Sequence, residues 1–316
     1  MVIEMRRAEV GVDGANELLN QAGLPNLNSM EILQGGWDNT NILLTLSDAS
    51  KVVLKVWNAN TVEEVRRVVA RHCHLDEHGI PTAVPIQLAN GSLIAEKDGM
   101  AWTLLPFIEG GMLGTDENSL KSLGETMARL HQTPVTDCFP DDYRMGWTLF
   151  EEMFVIADDT NAWSDFLITL KKESESLRNQ IPDGLPQGIL HGDVFPDNVI
   201  GDGSVAAILD LEEAFIGPCA FDLMMAFVGF GWNDQRPVHE RWGALLKGYE
   251  SVRPLSREER GTLPALHRYA TLSIAAWRYW KHVMTQPDEA LEHRYLEMVH
   301  RLEQQIDISI FSQDNI

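Results

Sequence analysis

The stretch from His191 to Asp210 constrains this chain more than any other. It contains His-Gly-Asp at residues 191–193, then Asn198, and it closes with an apolar run that ends at Asp210. Between the two short apolar runs lies Asp202-Gly203, a pair typical of tight turns between antiparallel strands. We therefore predict a β-hairpin that brings Asn198, at the start of one strand, back beside Asp210, at the end of the other.

The polar side chains of this stretch suit phosphoryl transfer. Asn198 and Asp210 offer the oxygen ligands that Mg²⁺ requires. Asp193 lies five residues before Asn198, so its carboxylate is a candidate catalytic base pointing into the same volume. A base next to an amide and a carboxylate that hold a metal is the arrangement expected for phosphoryl transfer from a nucleotide. The alternative is a turn with solvated strand-end acids, which explains each residue but not their combination and order.

The composition argues against several classes of partner. The 316 residues carry a net charge of −22, so nucleic acid is not an expected partner. A solvated acidic surface explains this charge, and a small cationic or zwitterionic substrate would also fit it. The apolar runs are too short to span a membrane, and the N-terminus lacks the apolar stretch of a secretory signal.

The cysteines favour a reducing compartment. Cys73, Cys138 and Cys219 are far apart and form no Cys-x-x-Cys pair. Neither a disulfide framework nor a zinc site is therefore expected. A cytoplasmic location is the prediction.

The first third of the chain is rich in short apolar runs that are typical of strands. The turn signals Asn90-Gly91 and Asp98-Gly99 separate the later ones, and short spacing favours antiparallel pairing. We predict a five-stranded antiparallel sheet. Six runs are candidates for its five strands: residues 30–33, 42–46, 52–57, 83–88, 92–95 and 100–105.

Lys55 is the only charged residue inside the run 52–57, and it shares a strand face with Val53 and Trp57. It follows the Gly35-Gly36 turn, whose backbone N–H groups could approach phosphates closely. A helix follows, and a kinase places its phosphate-binding lysine in this context. The alternative for Lys55 is a lysine on a solvent-exposed strand face, and the alternative for Gly35-Gly36 is an ordinary hairpin turn.

The helix predicted over residues 61–78 begins at Thr61, a candidate N-cap, and Glu64 completes a capping box. A kinase needs an acid on this helix to hold its lysine. Glu63 and Glu64 are the nearest candidates, and the capping role explains Glu64 equally well. A shorter helix is predicted over residues 12–22.

Residues 106–111 are rich in turn formers and mark the expected boundary between lobes 1–108 and 109–316. Main-chain groups of Leu105, Phe107 and Ile108 are candidates for binding adenine, whereas Pro106 has no N–H to donate. Beyond the boundary the periodicity is helical. The helices are expected from residue 116, over 145–157 and 161–180, and from Leu223 to about Ile308 with breaks at Pro237, Pro254 and Pro264.

These motifs together resemble the aminoglycoside phosphotransferase/choline kinase superfamily. The resemblance spans nearly the whole chain. It implies an α+β, protein-kinase-like two-lobed fold, with an antiparallel five-stranded sheet in the N-lobe and a mainly helical C-lobe. The stretches that carry it are Lys55 after the first strands, Pro106-Phe-Ile-Glu-Gly110, His191-Gly-Asp-x4-Asn198, Ile208-Leu-Asp210 and Phe221-Asp222.

The resemblance also implies roles for these residues. Asp193 would be the catalytic base that orients or deprotonates the substrate hydroxyl. Asn198 and Asp210 would hold Mg²⁺, and Lys55 would contact the α- and β-phosphates of ATP.

Other residues would support these. His191 and Asp222 would brace the catalytic loop. Gly35, Gly36 and Asn39 would cover the nucleotide.

Within the superfamily, Gly184–Val199 is similar to the ATP-dependent homoserine kinases. This implies L-homoserine as acceptor and a place in threonine biosynthesis. The alternatives are an aminoglycoside, choline or another amino alcohol, and a catalytically inactive nucleotide-binding protein. Glu212 and Trp232 are candidate acceptor contacts. Glu212 and Glu213 would point to opposite faces of an extended segment, so one of them at most would face the acceptor. The enzyme is expected to be a monomer or homodimer.

Overall fold

The computed structural model describes residues 10–33, 39–233, 235–304 and 311. The chain divides into two compact units. The N-terminal unit comprises the residues through Gly110 together with Ala206–Leu211, and the C-terminal unit comprises Gly111–Val205 and the residues from Glu212 onward. The predicted lobe boundary between residues 108 and 109 stays a prediction. The return of Ala206–Leu211 to the N-terminal unit places Asp210 in the same unit as Lys55.

The N-terminal unit contains the predicted five-stranded antiparallel sheet, in the order β1-β2-β3-β5-β4. Two helices accompany it. The strands are β1 Leu27–Ile32, β2 Thr40–Leu46, β3 Lys51–Trp57, β4 Ala95–Lys97 and β5 Met100–Pro106, and the helices are α1 Val12–Gln21 and α2 Val62–Glu77.

The two faces of β3 differ in what they contact. Leu54 is fully buried in a cluster with residues of α1 and the neighbouring strands, including Leu19 and Leu44. Burial of a leucine of this kind stabilises the fold by roughly 1.5–3 kcal/mol. Because side chains alternate along a strand, Lys55 points away from this cluster. The register pairs Lys55 with Asn41 on one side and Thr103 on the other.

The strand expected over residues 83–88 is wrong. Thr82 makes an isolated bridge to Ile208, and Ile86 N donates to Leu104 O at 2.7 Å, but no continuous ladder forms. Pro81, just before this run, and Pro85, within it, have no N–H. Neither can donate a hydrogen bond to a neighbouring strand.

The turn expected at Asp98-Gly99 is confirmed. These residues have φ values of 53° and 77°, as a two-residue hairpin turn between β4 and β5 requires. The strand predicted over residues 92–95 is wrong except at its last residue, because Ser92 Oγ bonds to the backbone of Ile94 and β4 begins only at Ala95.

The C-terminal unit is mainly helical, as predicted. Its helices are α3 Glu117–Gln132, α4 Trp147–Thr160, α5 Asp165–Arg178, α6 Cys219–Phe230, α7 His239–Glu250, α8 Arg257–Tyr279 and α9 Leu296–Glu303. Its strands are short. They are β6 Gly111–Met112, β7 Gln187–Leu190, β8 Val199–Gly201, β9 Val205–Ile208 (which runs on into the N-terminal unit), β10 Phe215–Pro218, β11 Trp232–Asn233 and β12 Arg236–Pro237.

The break expected at Pro264 is wrong, because this proline lies inside α8. Pro264 cannot donate a backbone hydrogen bond to the residue four before it. The neighbouring side chains of Leu263 and Leu266 are buried, and this packing favours the continuous helix over a break. Pro237 and Pro254 do lie between helices. Within the described ranges, no helix combines the length and apolarity needed to cross a membrane.

Candidate active site

The loop 191–198, here named the Asp193 loop, leaves the end of a buried strand pair in the C-terminal unit. Strand β7 pairs antiparallel with β10, and Leu190 lies opposite Phe215. Leu190 is fully buried, and Phe215 is nearly so. The chain therefore enters the Asp193 loop from a fixed point in the core.

Gly192 holds a conformation that favours glycine. Its φ is +81°, and a Cβ at this position would lie 2.6 Å from Glu213 O and 3.2 Å from Tyr143 Cε2. A residue with a side chain would be strained and would also collide with backbone. The Tyr143 hydroxyl donates to Gly192 O at 2.8 Å, which fixes the loop from a second side.

Asp193 and Asn198 are joined within this loop. Asn198 Nδ2 donates to Asp193 O at 2.8 Å and to Asp193 Oδ2 at 2.9 Å. Asp193 N donates to His191 Nδ1 at 3.2 Å. Because the amide nitrogen of Asn198 is directed at Asp193, its amide oxygen is the atom through which Asn198 would bind a metal.

Asp222 braces the loop backbone from the first turn of α6. It is completely buried, and its two carboxylate oxygens accept from His191 N and Gly192 N, each at 2.9 Å. Burial raises the pKa of this carboxyl, but hydrogen bonding and the charge of His131 outweigh burial and leave the pKa below its usual value. These hydrogen bonds favour the ionised form of the carboxylate that holds the loop. This contact is consistent with the bracing role that the resemblance implies for Asp222, and the catalytic role of the loop stays a prediction.

Lys55 and Asp210 form an ion pair within the N-terminal unit. Lys55 Nζ lies 3.3 Å from Asp210 Oδ1, and it also lies 3.9 Å from the centroid of the Trp57 ring. Lys55 is 7% exposed, whereas 43% of the Asp210 side chain is exposed. The lysine is thus held at the protein interior, and the carboxylate remains accessible.

Asp210 has a positive φ of 60°. A non-glycine residue in this region is uncommon and is often found at functional sites. Two hydrogen bonds hold the flanking backbone: Thr82 Oγ1 donates to Ile208 O, and Arg71 Nη1 donates to Leu211 O, each at 2.8 Å. The conformation of Asp210 is therefore imposed by its surroundings.

Glu64 takes the capping role. Its Oε2 accepts from Thr61 N at 2.7 Å and from Thr61 Oγ1 at 2.8 Å, and the full capping box is present. Lys55 forms an ion pair with Asp210. An acid of α2 as the partner of Lys55 stays a prediction.

The candidate nucleotide-binding residues are placed as follows. Gly35 and Gly36 lie outside the described residues. Asn39 Oδ1 accepts from Asn58 N at 3.0 Å, so this side chain holds local backbone. The nucleotide-binding roles of Gly35, Gly36 and Asn39 stay predictions. The same holds for three partly buried residues at the end of β5 and just beyond it. The three residues are Leu105, Phe107 and Ile108.

Glu212 and Glu213 lie in a 3-10 turn, Leu211–Glu213, so the expected extended segment is wrong. The buried side chain of Leu211 and the hydrogen bond from Arg71 Nη1 to Leu211 O hold the start of this turn. Arg144 Nε donates to Glu213 Oε2 at 3.0 Å. This ion pair neutralises Glu213, while Glu212 is partly exposed.

Trp232 is a core residue by its contacts. It is 7% exposed, its ring is stacked on His267 at 5.9 Å, and the Arg301 guanidinium lies 4.9 Å from its centroid. Its Nε1 has no hydrogen-bond partner among the described residues. An acceptor contact for Trp232 stays a prediction.

Two supporting residues were not predicted from the sequence: Tyr143, which bonds to the Asp193 loop, and His131, which bonds to Asp222. Tyr143 is separated from its partner Gly192 by 49 residues, and His131 from Asp222 by 91. The only signal in the sequence was the position of His131 at the apolar end of a periodic helix, and this does not identify a partner.

Comparison with known proteins identifies one family. The model of the Phosphotransferase enzyme family matches residues 29–255. A homoserine kinase from Rhizobium etli is 26% identical over 307 residues, which cover 93% of this chain and 94% of that protein.

Solved structures share the fold at lower identity. A spectinomycin phosphotransferase in complex with ADP and spectinomycin is 17% identical, with a TM-score of 0.66 and coverage of 96% of this chain and 97% of that one. Amicoumacin kinase in complex with AMP-PNP and Ca²⁺ is 16% identical, with a TM-score of 0.71 and coverage of 94% and 96%. The protein-kinase-like α+β fold expected from the sequence is confirmed.

Proposed function

Since this chain belongs to the phosphotransferase enzyme family, we propose that it transfers the γ-phosphate of ATP to the hydroxyl group of a small molecule, and that this acceptor is L-homoserine. The observation that carries the proposal is the Asp193 loop. Its carboxylate is fixed by Asn198, and its backbone is fixed by Asp222. Phosphoryl transfer depends mainly on positioning and electrostatics, and a rigid carboxylate on a rigid loop supplies the first of these.

Asp193 is the proposed catalytic base. A carboxylate within hydrogen-bond reach of the acceptor hydroxyl orients it and takes its proton as the new bond to phosphorus forms. The hydrogen bond from Asn198 Nδ2 to Asp193 Oδ2, 2.9 Å long, holds this carboxylate in position.

Asn198 and Asp210 are the proposed ligands of Mg²⁺. Both offer oxygen atoms, the carboxylate of Asp210 is accessible, and Asn198 directs its nitrogen elsewhere, so the donor set fits a hard cation. Bound Mg²⁺ would neutralise charge on the phosphate oxygens of ATP. Lys55 is the proposed contact for the phosphates of ATP. It is a buried cation, and it lies beside Asp210, the proposed metal ligand.

One arginine of the C-terminal unit supports an acceptor with a carboxylate. Burial and Arg278 lower the pKa of Arg294, while Glu297 and Asp197 oppose this lowering, which places Arg294 within electrostatic reach of the loop. A substrate carboxylate requires such a cation, and Glu213, already paired with Arg144, is less suited to bind an ammonium group. An inactive nucleotide-binding protein would be expected to have lost Asp193, Asn198 or Asp210.

The sharpest test of the acceptor compares L-homoserine with two analogues. 3-Amino-1-propanol lacks the carboxylate, and 4-hydroxybutanoate lacks the amine, while both keep a terminal hydroxyl. We expect a kcat/KM for L-homoserine that exceeds the value for 3-amino-1-propanol by about 10²-fold or more, because loss of a charge-assisted contact leaves a cation unpaired. Equal or better turnover of 3-amino-1-propanol would establish an amino-alcohol kinase instead. An ATP-dependent enzyme of amino-acid synthesis is expected to act in the cytoplasm.

A further inference from the structure

A chain of buried hydrogen bonds reaches the Asp193 loop from the far side of the C-terminal unit. His131, near the end of α3, directs Nε2 at Asp222 Oδ2 at 3.1 Å and Nδ1 at the Tyr249 hydroxyl at 2.7 Å. The side chains of His131 and Asp222 are both completely buried. His131 therefore stands between Asp222, which holds the loop, and the helix α7.

The chain continues to the start of α8. Arg253 Nη1 donates to the Tyr249 hydroxyl at 3.1 Å, and Arg253 Nη2 donates to Glu259 Oε1 at 2.8 Å. Glu259 is 1% exposed and caps α8 through Ser256 N. These links connect α8, α7, α3 and α6 to the loop through side chains that are buried or partly buried.

A positive charge beside Asp222 would offset the cost of burying its carboxylate. Its oxygens accept two backbone bonds from the loop in a site without access to water, and an isolated buried carboxylate is strongly unfavourable. His131 makes a direct side-chain contact with it. Without that contact Asp222 would tend to take a proton, and a protonated acid offers one fewer acceptor to the two loop amides.

We infer that His131 is a positioning residue for phosphoryl transfer: as an imidazolium, it keeps Asp222 ionised so that both carboxylate oxygens hold the backbone of the Asp193 loop. This inference rests on the proposed function, because it takes Asp193 to be the catalytic base. His131 itself touches neither the reacting atoms nor the proposed metal ligands.

The groups around His131 are consistent with a charged ring. Those facing it are Tyr249 of α7, Cys219 and Asp222 of α6, and Arg253 just after α7, with His191 on the far side of Asp222. Strand β7 presents backbone here, at Gly188. Burial lowers the pKa of His131, but its polar contacts, the Asp222 carboxylate among them, outweigh burial and hold the pKa above its usual value.

The test uses His131→Gln, His131→Leu and Asp222→Asn. Glutamine places a neutral donor near the position of Nε2, whereas leucine removes the donor. Thr126→Val is the matched control, because Thr126 is a buried polar residue on the same helix whose hydroxyl donates only within α3, to Ser122 O. Each variant is measured for kcat, for KM, and for hydrogen exchange of the His191 and Gly192 amides.

We expect His131→Leu and Asp222→Asn to lower kcat by about tenfold or more, with KM changed much less, and to speed exchange of both amides. Thr126→Val should change neither. In His131→Gln the burial of Asp222 is no longer offset by a charge, so its pKa rises. The acidic limb of the kcat–pH profile should then move toward neutral pH, while activity at higher pH is largely retained.

If His131 only filled space in the core, replacing it by glutamine would not shift the acidic limb of the kcat–pH profile. An unshifted acidic limb in His131→Gln, or wild-type kcat and exchange in His131→Leu, would overturn the inference. If the leucine variant does not fold, NMR of the wild-type protein with ¹⁵N-labelled histidines decides the charge of His131. Both ring nitrogens should be protonated at pH 7. A neutral ring would overturn the inference. The exchange and labelling experiments need no turnover. Full activity of Asp193→Asn would instead refute the proposed function and leave the loop contact standing.

Discussion

Asn198 donates two hydrogen bonds from its single amide nitrogen to Asp193, one to the backbone oxygen at 2.8 Å and one to Oδ2 at 2.9 Å. This double contact closes the Asp193 loop on itself. Phe195 N also donates to Asp193 O at 3.0 Å, and Asn198 N donates to Phe195 O at 2.9 Å. The carboxylate of Asp193 therefore has a fixed position before any substrate binds, which lowers the cost of reaching the reactive geometry.

Replacing Asp193 by asparagine tests the base. The amide has nearly the shape of the carboxylate but cannot accept a proton, so turnover should fall by about 10²–10⁴-fold. ATP affinity, measured by calorimetry, should change little. Asp197→Asn is the control on the same loop. Wild-type turnover in Asp193→Asn would refute the assignment.

Gly192→Ala should lower both stability and activity. The φ of +81° disfavours alanine, and its Cβ would meet Glu213 O at 2.6 Å. Gly203→Ala is a matched control, because Gly203 has a φ of +65° but no atom within 4 Å of the added Cβ. Both variants carry the conformational cost of about 1–2 kcal/mol. Thermal unfolding should show a larger loss for Gly192→Ala, and equal losses would contradict the close contact.

Asp210→Asn should raise the Mg²⁺ concentration needed for half-maximal activity by about tenfold or more, because a carboxylate ligand and a charged bond to Lys55 are lost. Asparagine tolerates a positive φ, so the backbone at 60° should survive. The measurement is turnover across a Mg²⁺ titration. Asp202→Asn, in an exposed turn, should behave as wild type. An unchanged Mg²⁺ dependence in Asp210→Asn would remove this residue from the metal site.

The buried ring of His267 predicts a loss of stability in acid. Burial, with Arg301 and Arg268, lowers its pKa from 6.5 to about 3. Between pH 6.5 and pH 3 the unfolded chain therefore binds a proton that the folded protein does not. The contribution of His267 to the free energy of unfolding should fall with decreasing pH by up to about 1.4 kcal/mol per pH unit.

Denaturant unfolding of His267→Leu between pH 7 and pH 5 measures this contribution. The variant should lose less stability on acidification than the wild type. The exposed His300→Leu should follow the wild type. A wild-type pH dependence in His267→Leu would show that His267 is accessible to protons in the folded state.

Local patterns predicted much of the fold. The capping box of Thr61 and Glu64 and the turn at Asp98-Gly99 depend on residues three apart or adjacent, and alternation along β3 placed Lys55 opposite the apolar cluster. The failures had local causes too. Residues 83–88 are apolar enough for a strand, but Pro85 interrupts the ladder. Pro264 looked like a helix end, yet burial of its neighbours keeps α8 continuous.

The contacts of the candidate site were less accessible to sequence reasoning. Lys55 and Asp210 are 155 residues apart, and His131 and Asp222 are 91 apart. The motif suggested candidate residue types for the site, while the resemblance implied that Asp222 braces the loop. It could not predict that Glu213 pairs with Arg144 or that Asp210 takes a positive φ, because both depend on how distant segments pack.

The measurement that tests the central claim most directly is ADP release from Mg-ATP against a panel of acceptors, with Asp193→Asn as the blank. The panel contains L-homoserine, L-serine, L-threonine, hydroxylysine, choline, ethanolamine and several aminoglycosides. We predict acceptor-dependent ADP release that is strong and selective for L-homoserine and absent with Asp193→Asn. Selective turnover of another alcohol would keep the chemistry and overturn the acceptor. Release that is the same with and without every acceptor, or unchanged in Asp193→Asn, would contradict the claim that this chain phosphorylates a small-molecule alcohol through Asp193.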